Sequence, residues 1–219
     1  AIYPVAVDFL KQQMQTVARD IHIDAVKIGM LGTPEVTEAV AAFVAGLDCP
    51  LVIDPVMVAK SGDRLLHADA IASLRDLLIP KATLMTPNLP EAADLLGLAE
   101  ADDREAMQVQ ASALLQLGSR AVLLKGGHLS TEDSPDLLVF DHQSTWFDNE
   151  RIQTANTHGT GCTLSSALAS YLGQGFSIPD AVLGAKTYIS GAIAASDQLN
   201  VGHGHGPVHH FWDLWRNND

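Results

Sequence analysis

The segment NTHGTGCTLSSALASYLGQG, residues 156–175, joins chemically useful residue types to a helix pattern. Its GTGC sequence, residues 159–162 and here called the glycine turn, predicts a tight bend, because glycine lets the backbone turn sharply and approach a ligand closely. The amphipathic pattern that follows predicts a helix from Gly161 to Leu172. The first turn of a helix presents unpaired N–H groups and about half a positive charge. The sequence therefore predicts an anion site, suited to a phosphoryl group that changes charge during transfer.

Cys162 lies at the mouth of this predicted helix, where its thiol could point into the anion site. The alternative is a buried core residue, since free cysteines are frequently buried. The residues alone leave both interpretations open. Two other phosphate-binding motifs are excluded: the chain contains no GxxxxGK[ST] sequence, and no GxGxxG sequence follows a strand.

The rest of the chain alternates between strand and helix patterns. Short apolar runs rich in β-forming residues predict strands at 25–31, 51–58, 82–86, 121–127, 136–141 and 144–148. Amphipathic runs predict helices at 34–46, 68–78, 91–98, 103–117, 161–172 and 179–198. The last two strands are predicted to be antiparallel, because only a few turn-forming residues separate them. This alternation predicts an α/β fold with a central, mostly parallel sheet flanked by helices on both faces.

Composition narrows the classes of function. The 219 residues suit one α/β domain, and the sequence contains no internal repeat or linker, so we predict a single domain over 1–219. The formal charge of −13 disfavours nucleic acid and anionic membrane surfaces as partners. No apolar run approaches the roughly 20 residues that span a bilayer, and the two distant cysteines suggest no disulfide. We therefore expect a cytoplasmic protein without nucleic-acid or membrane partners.

Residues with useful chemistry cluster at the predicted carboxyl ends of the strands. Ligands of such sheets bind beyond those ends, so the clustering matters more than any single residue. Besides the glycine turn, the residues concerned are Gly29, Met30, Asp54, Asn88, Glu91, Lys125, Gly126 and Gly127.

Six segments carry a resemblance to a known family: KIGML, DPVMVAKSGD, TPNLPEA, LLKGGH, NTHGTGCTLSSALA and VGHGHGPVHHF. In this order and spacing they resemble the hydroxymethylpyrimidine/phosphomethylpyrimidine kinases of thiamin biosynthesis, within the ribokinase-like superfamily. The resemblance runs from about Val5 to the end of the chain. Most ribokinase-like enzymes carry aspartate at the position of Cys162, whereas these pyrimidine kinases resemble this chain in having cysteine.

The resemblance implies a kinase that uses ATP as co-substrate and magnesium as its metal. Its expected acceptor is the primary alcohol of 4-amino-5-hydroxymethyl-2-methylpyrimidine, followed by the resulting monophosphate, which becomes the diphosphate. Phosphoryl transfer depends more on positioning and charge neutralisation than on covalent help. The family is commonly oligomeric, so the resemblance also implies a homo-oligomer, most simply a dimer.

The resemblance further implies roles for individual residues. Cys162 is expected as the general base that takes the proton from the attacking hydroxyl. The other expected catalytic residues are Gly159, Thr160, Gly161 and Lys125. The expected nucleotide-binding residues are Lys125, Gly126, Asn88 and Glu91. The expected magnesium ligands are Glu91 and Asp54, and the expected pyrimidine-binding residues are Gly29, Met30 and Val56.

Several of these residues have a plainer interpretation. Lys125 could be a solvated strand end, and Met30 and Val56 could be core residues. Asn88 and Glu91 have the spacing of a helix capping box, and capping does not exclude a second role. The histidines near the carboxyl terminus could suggest a metal site, but the resemblance and the intervening glycines favour structural packing.

Family members carry a further amino-terminal segment ahead of the point that matches Ala1. That segment includes the first strand, a glycine-rich loop with an aspartate, and part of the pocket wall. We expect that the sequence omits this segment, since a sheet without its first strand would expose an edge. Two other functions stay open: a pyridoxal kinase of the same superfamily, and a truncated, non-catalytic protein that binds nucleotide or pyrimidine.

Overall fold

The computed structural model describes residues 3–57, 68–129 and 133–215, and it has the predicted α/β architecture. The strands are β1 (Val26–Ile28), β2 (Leu51–Ile53), β3 (Leu84–Met85), β4 (Ala121–Lys125), β5 (Asp136–Phe140) and β6 (Gln143–Phe147). The α-helices of the described residues are α1 (Val7–Asp20), α2 (Pro34–Val44), α3 (Ala68–Ser73), α4 (Leu89–Leu96), α5 (Arg104–Leu115), α6 (Thr160–Gly173) and α7 (Ile178–Ala194). Residues 58–63 of the DPVMVAKSGD segment lie outside the described residues.

The six strands follow the chain order across one sheet. Strands β1 to β4 pair in parallel, so their carboxyl ends meet at one edge, while β5 and β6 are antiparallel. The turn between β5 and β6 consists of Asp141 and His142, which have positive φ values of 51° and 60°. A two-residue turn of this kind matches the twist of the flanking strands. The predicted mostly parallel sheet and its antiparallel hairpin are confirmed.

The apolar core lies in two layers, one on each face of the sheet. Alternate residues of a strand point to opposite faces. Ile53 of β2 belongs to the layer beneath α2 to α5, whereas its neighbour Val52 packs with α6 and α7. Leu124 and Leu123 of β4 divide between the layers in the same way. The prediction of helices on both faces is therefore confirmed.

Most helices begin and end within a few residues of their predicted bounds. At the start of α2, the Thr33 side chain accepts a main-chain hydrogen bond and Pro34 occupies the first turn, as the sequence predicts. The helix predicted for 179–198 is shorter, because α7 ends at Ala194 and a 3₁₀ turn (Ser196–Gln198) takes up the remaining residues.

The helix predicted for 68–78 is the exception, because it is not a continuous α-helix. The α-helical part ends at Ser73 and continues as a π-helical stretch (Leu74–Leu78) and a 3₁₀ turn (Ile79–Lys81). Pro80 lies in that turn and lacks the N–H that an α-helix would need at this point. The altered winding buries Leu78 and Ile79 fully while the chain turns toward β3.

Helix α1 packs next to α2 on the edge of the helical layer, and no sequence pattern predicted its bounds. Its Leu10 and Met14, four residues apart, contact the core layer from the outside. Its Phe9 and Val17 are about half exposed. Within the described ranges, no helix has both the length and the apolarity needed to cross a bilayer.

Candidate active site

Lys125 and Asp54 form an ion pair at the carboxyl ends of β4 and β2. Lys125 Nζ lies 2.8 Å from Asp54 Oδ1, and the two side chains are only 15% and 3% exposed. Burial alone would lower the pKa of Lys125, but the carboxylates of Asp54 and Glu91 outweigh it, so the pKa is raised. Lys125 therefore stays charged at neutral pH. Its interpretation as a solvated strand end is wrong.

The glycine turn brings the start of α6 directly onto this ion pair. A methyl group built on Gly161 would lie 3.5 Å from Lys125 Nζ and 3.6 Å from Asp54 Oδ2. The N-terminus of a helix carries partial positive charge. The positive end of α6 and the Lys125 ammonium thus lie side by side, which is the arrangement that an anionic ligand requires.

Gly159 and Thr160 shape the glycine turn, and Cys162 lies on its exposed side. Gly159 is the N-cap of α6 with a φ of 85°, a left-handed conformation that favours glycine. The Thr160 hydroxyl donates to the carbonyl of Thr157 at 2.8 Å and closes the turn. Cys162 is exposed, so its interpretation as a core residue is wrong.

Asn88 and Glu91 form the capping box that their spacing predicts at the start of α4. The Glu91 N–H donates to Asn88 Oδ1 at 2.9 Å, and the Asn88 N–H donates to Glu91 Oε2 at 2.8 Å. Burial raises the pKa of Glu91 from 4.5 to about 7, although Lys125 and the N–H groups of Asn88 and Met57 oppose the shift. Near neutral pH, Glu91 is therefore present in both its protonated and its ionised form, and the charge of Lys125 favours the ionised form.

Gly126 follows Lys125 in a space that is too small for a side chain. Its N–H donates to Asp136 Oδ1 at 3.0 Å, and a Cβ atom would overlap the carbonyl oxygen of Pro135. Asp136 in turn forms a buried ion pair with Lys186 of α7, at 2.6 Å. The predicted nucleotide-binding loop is thus held in place by residues that lie far along the chain.

The predicted pyrimidine-binding residues lie at the carboxyl ends of the first two strands. Gly29 and Met30 directly follow β1, and Val56 follows β2. The two strand ends are joined there, since the N–H of Asp54 donates to the carbonyl of Ile28 at 2.9 Å. Met30 is 39% exposed and is therefore not a core residue, while Val56 is half-buried. All three lie on the same edge of the sheet as the ion pair.

Two further side chains contact Asp54, and neither was among the residues predicted for the site. Thr86 Oγ1 donates to Asp54 Oδ1 at 3.2 Å, and Ser165 Oγ donates to Asp54 Oδ2 at 3.4 Å. A signal was present for both: Thr86 ends the predicted third strand, and Ser165 lies four residues after Gly161, on the same face of α6. Together with Lys125, they fix the orientation of the Asp54 carboxylate.

The acidic residues of the site suit a magnesium ion that is held largely by water and phosphate. Among the residues that the structure describes, no group of three acidic, histidine or cysteine side chains could form a metal cage. Magnesium usually keeps several waters and binds through one or two carboxylates together with substrate phosphates. Asp54 and Glu91 supply two carboxylates, and both act on the charge of Lys125. The donor set therefore fits magnesium bound together with a polyphosphate.

Comparison with known proteins gives a consistent result. The phosphomethylpyrimidine kinase family matches residues 1–209. The hydroxymethylpyrimidine/phosphomethylpyrimidine kinase of Escherichia coli (strain K12) is 47% identical over 216 residues, which are 98% of this chain and 81% of that protein. Among solved structures, a pyridoxal kinase of Bacillus subtilis in an ADP complex matches with a TM-score of 0.89 at 33% identity. The match covers 99% of this chain and 80% of the pyridoxal kinase chain. A phosphomethylpyrimidine kinase of Clostridium difficile 630 matches with a TM-score of 0.77 at 38% identity. That match covers 88% of this chain and 79% of the Clostridium difficile chain. The chain therefore belongs to the phosphomethylpyrimidine kinase family.

Proposed function

We propose that the chain transfers phosphate from ATP to 4-amino-5-hydroxymethyl-2-methylpyrimidine, and then to the resulting monophosphate, in thiamin biosynthesis. The observation that carries this proposal is the convergence of Lys125, Asp54 and the glycine turn at one edge of the sheet. The 47% identity with the Escherichia coli hydroxymethylpyrimidine/phosphomethylpyrimidine kinase supports the same acceptors.

Lys125 and the glycine turn supply positive charge for the transfer. The Lys125 ammonium contacts ATP phosphate oxygens as a point charge, with Asp54 keeping it charged and oriented. The main-chain N–H groups of the glycine turn, residues 159–162, are proposed to surround the phosphoryl group that moves. Gly126 is a further proposed nucleotide-binding residue, and its backbone hydrogen bonds with Asp136 and Leu129 hold the loop after Lys125 in place. Charge neutralisation and positioning are the contributions that phosphoryl transfer needs most.

Magnesium is the proposed metal. When bound, it neutralises phosphate charge and orients the phosphate oxygens. Asp54 and Glu91 would hold it, with Glu91 acting through water, while Asn88 keeps Glu91 in place through the capping box. Glu91 must be ionised for this role, and its pKa of about 7 makes that ionisation sensitive to pH in the neutral range.

Cys162 is the proposed general base, and it takes the proton from the hydroxymethyl oxygen as that oxygen attacks the γ-phosphorus. Because the transition state is loose, the alcohol needs little activation before attack, and a cysteine suffices where most ribokinase-like enzymes carry aspartate. Gly29, Met30 and Val56 are proposed to line the pocket for the pyrimidine ring. Their position beside the ion pair supports this assignment.

Pyridoxal is the second candidate acceptor. The likeness to the Bacillus subtilis pyridoxal kinase, at a TM-score of 0.89, favours testing it. Turnover on the two alcohols, compared as kcat/KM in the same preparation, separates the candidates. We expect the pyrimidine to be preferred, because relatives at 47%, 44% and 40% identity carry the pyrimidine kinase name.

We also propose that the protein is a cytoplasmic homodimer. The exposed apolar side chains of α1, Phe9 and Val17, support association with another copy. Light scattering after size-exclusion chromatography measures the number of subunits directly. A monomer at micromolar concentration would contradict the dimer without affecting the proposed chemistry.

The deciding experiment measures ADP release with magnesium, ATP and either the pyrimidine alcohol or its monophosphate. We expect turnover with both acceptors, and we expect Lys125→Ala to lower kcat much more than it changes the affinity for the pyrimidine. Binding of nucleotide without ADP release from either acceptor would instead favour a non-catalytic binding protein.

A further inference from the structure

The histidine-rich tail crosses the loop that leads into the glycine turn. Residues 206–210, here called the tail segment, contact the chain on both sides of that turn. Both main-chain polar groups of His158, which directly precedes the turn, bond to the tail segment. Its N–H donates to the carbonyl of Gly206 at 3.1 Å, and its carbonyl accepts from the N–H of Val208 at 3.2 Å. The tail segment therefore holds His158, the residue before the turn, by hydrogen bonds to both its N–H and its carbonyl group.

Gly206 also holds the loop through a third hydrogen bond. Its N–H donates to Asn156 Oδ1 at 3.0 Å, and Asn156 Nδ2 donates to Asp197 at 2.9 Å. A Cβ atom on Gly206 would overlap Asn156 Oδ1 and crowd its Cγ atom. The close contact between tail segment and loop thus depends on the absence of a side chain at position 206.

The tail segment reaches the other side of the glycine turn through His210. His210 Nε2 lies 3.0 Å from Oγ1 of Thr163, the residue that directly follows Cys162. The tail segment itself is anchored, because Val208 and His209 are buried and the His209 N–H donates to the carbonyl of Ala192 in α7 at 2.8 Å. A fixed support therefore brackets the turn at both ends.

We infer that the tail segment positions the glycine turn for phosphoryl transfer, with Gly206 and His210 as positioning residues. The inference rests on the proposed function, because the glycine turn that the tail segment holds is the proposed site of the phosphoryl group. Stabilisation of a transferring phosphoryl group depends on where the N–H groups of the turn point. A displacement of about 1 Å at such a site can cost about a hundredfold in rate. The tail segment holds the two residues that flank the turn and so sets that direction.

A matched pair of glycine variants tests the inference. Gly206→Ala forces Asn156 and the loop apart, whereas Gly204→Ala adds a methyl group that meets nothing within 4 Å. We expect Gly206→Ala to lower kcat roughly tenfold or more, at temperatures well below unfolding, with smaller changes in the KM for the pyrimidine. Gly204→Ala should match the wild type. The loss should be similar for the alcohol and for the monophosphate, because both transfers use the same turn.

The bond between Thr163 and His210 offers a second test that does not depend on the folding of Gly206→Ala. His210→Ala should lower kcat, and His210→Gln should restore part of it by offering the hydroxyl of Thr163 an amide partner. The exposed His203 provides the control, as His203→Ala in the same tail. A double-mutant cycle with Thr163→Val should give less than additive losses in kcat. Additive losses, or no loss in His210→Ala, would overturn the role of His210.

Amide signals of Gly159 and Gly161 in nitrogen-15 spectra test the placement without any turnover. Both signals should shift in Gly206→Ala and His210→Ala and stay unchanged in Gly204→Ala. If the wild type releases no ADP, the proposed function fails, and these shifts alone decide whether the tail segment positions the turn. Unshifted signals, or an active Gly206→Ala with the kcat of Gly204→Ala, would overturn the inference.

Discussion

Cys162 is the residue whose chemistry separates the two proposed transfers. The alcohol must lose a proton as it attacks, whereas the monophosphate is already mostly ionised and needs no base. We therefore expect Cys162→Ala to slow phosphorylation of the free alcohol strongly, by about a hundredfold, and that of the monophosphate only mildly. Separate measurements of kcat on the two acceptors check this difference.

Cys49→Ala is the control for this prediction, because Cys49 lies ahead of β2, at the opposite end of the strand from Asp54. It should leave both rates unchanged. If Cys162→Ala lowered kcat equally on both acceptors, the side chain would shape the anion site rather than act as a base. No loss in either step would remove Cys162 from the chemistry.

Glu91 combines a cap with a proposed metal role, and Glu91→Gln separates the two. Glutamine can keep the capping box, since its side-chain oxygen can still accept the Asn88 N–H. It cannot supply a carboxylate for magnesium. We expect the rate to fall at limiting magnesium and to recover partly as magnesium is raised. Initial rates over a magnesium titration at fixed ATP give the answer.

The matched control is Glu35→Gln, an exposed glutamate in the first turn of α2. Its magnesium dependence should equal that of the wild type. If Glu91→Gln also kept wild-type kinetics at limiting magnesium, Glu91 would be a helix cap without a metal role.

At the scale of elements, the Lys186–Asp136 ion pair ties α7 to β5 across the core. Both side chains are 8% exposed, and Asp136 also accepts the Gly126 N–H. Lys186→Met would leave the Asp136 carboxylate buried without its cation. Removal of one partner from such a pair costs about 3 kcal/mol or more of unfolding free energy. Urea unfolding at pH 7 measures the loss.

Lys11→Met provides the surface comparison for this prediction. Lys11 and Asp8 form a pair of exposed side chains on α1, with 3.9 Å between charged atoms. Exposed pairs contribute little to stability. If Lys186→Met lost no more unfolding free energy than Lys11→Met, the hydrogen bond from the Gly126 N–H and the other neighbours of Asp136 would suffice to stabilise its buried carboxylate.

The helices and strands also show which features of the fold follow from sequence patterns and which do not. Although the apolar runs 25–31 and 51–58 extend past the strands, which end at Ile28 and Ile53, the positions of the strands along the chain were predictable. The break after Ser73 was not, since the π-helical stretch has only five residues, too few to change the apolar pattern of the run. The contact between Lys186 and Asp136 spans 50 residues and depends on how α7 packs on the sheet, which local patterns do not encode.

In the molecule as a whole, the candidate site lies where the two core layers meet the carboxyl edge of the sheet. Asp54 and Lys125 end strands buried between both layers, while α6 belongs to one layer and α4 to the other. The glycine turn and the capping box of Glu91 therefore approach the ion pair from opposite faces. A packing defect in either layer would therefore reach the site. Residue types placed Asp54 and Lys125 at strand ends, but they did not indicate that Thr86 and Ser165 contact Asp54.

The buried Glu91 should make the stability of the whole fold depend on pH. Its pKa in the folded protein is about 7, above the ordinary 4.5, because burial disfavours the charged form. Its favourable contribution is therefore complete below pH 4.5 and is lost as the pH rises through 7. Glu91→Gln lacks this titration, so the unfolding free energy of the wild type should fall relative to the variant over that interval, by at most about 3 kcal/mol. Urea unfolding of both proteins at pH 5, 6, 7 and 8, without magnesium or nucleotide, measures the difference. A difference that stays constant with pH would mean that Glu91 ionises in the fold as freely as it does in the unfolded chain.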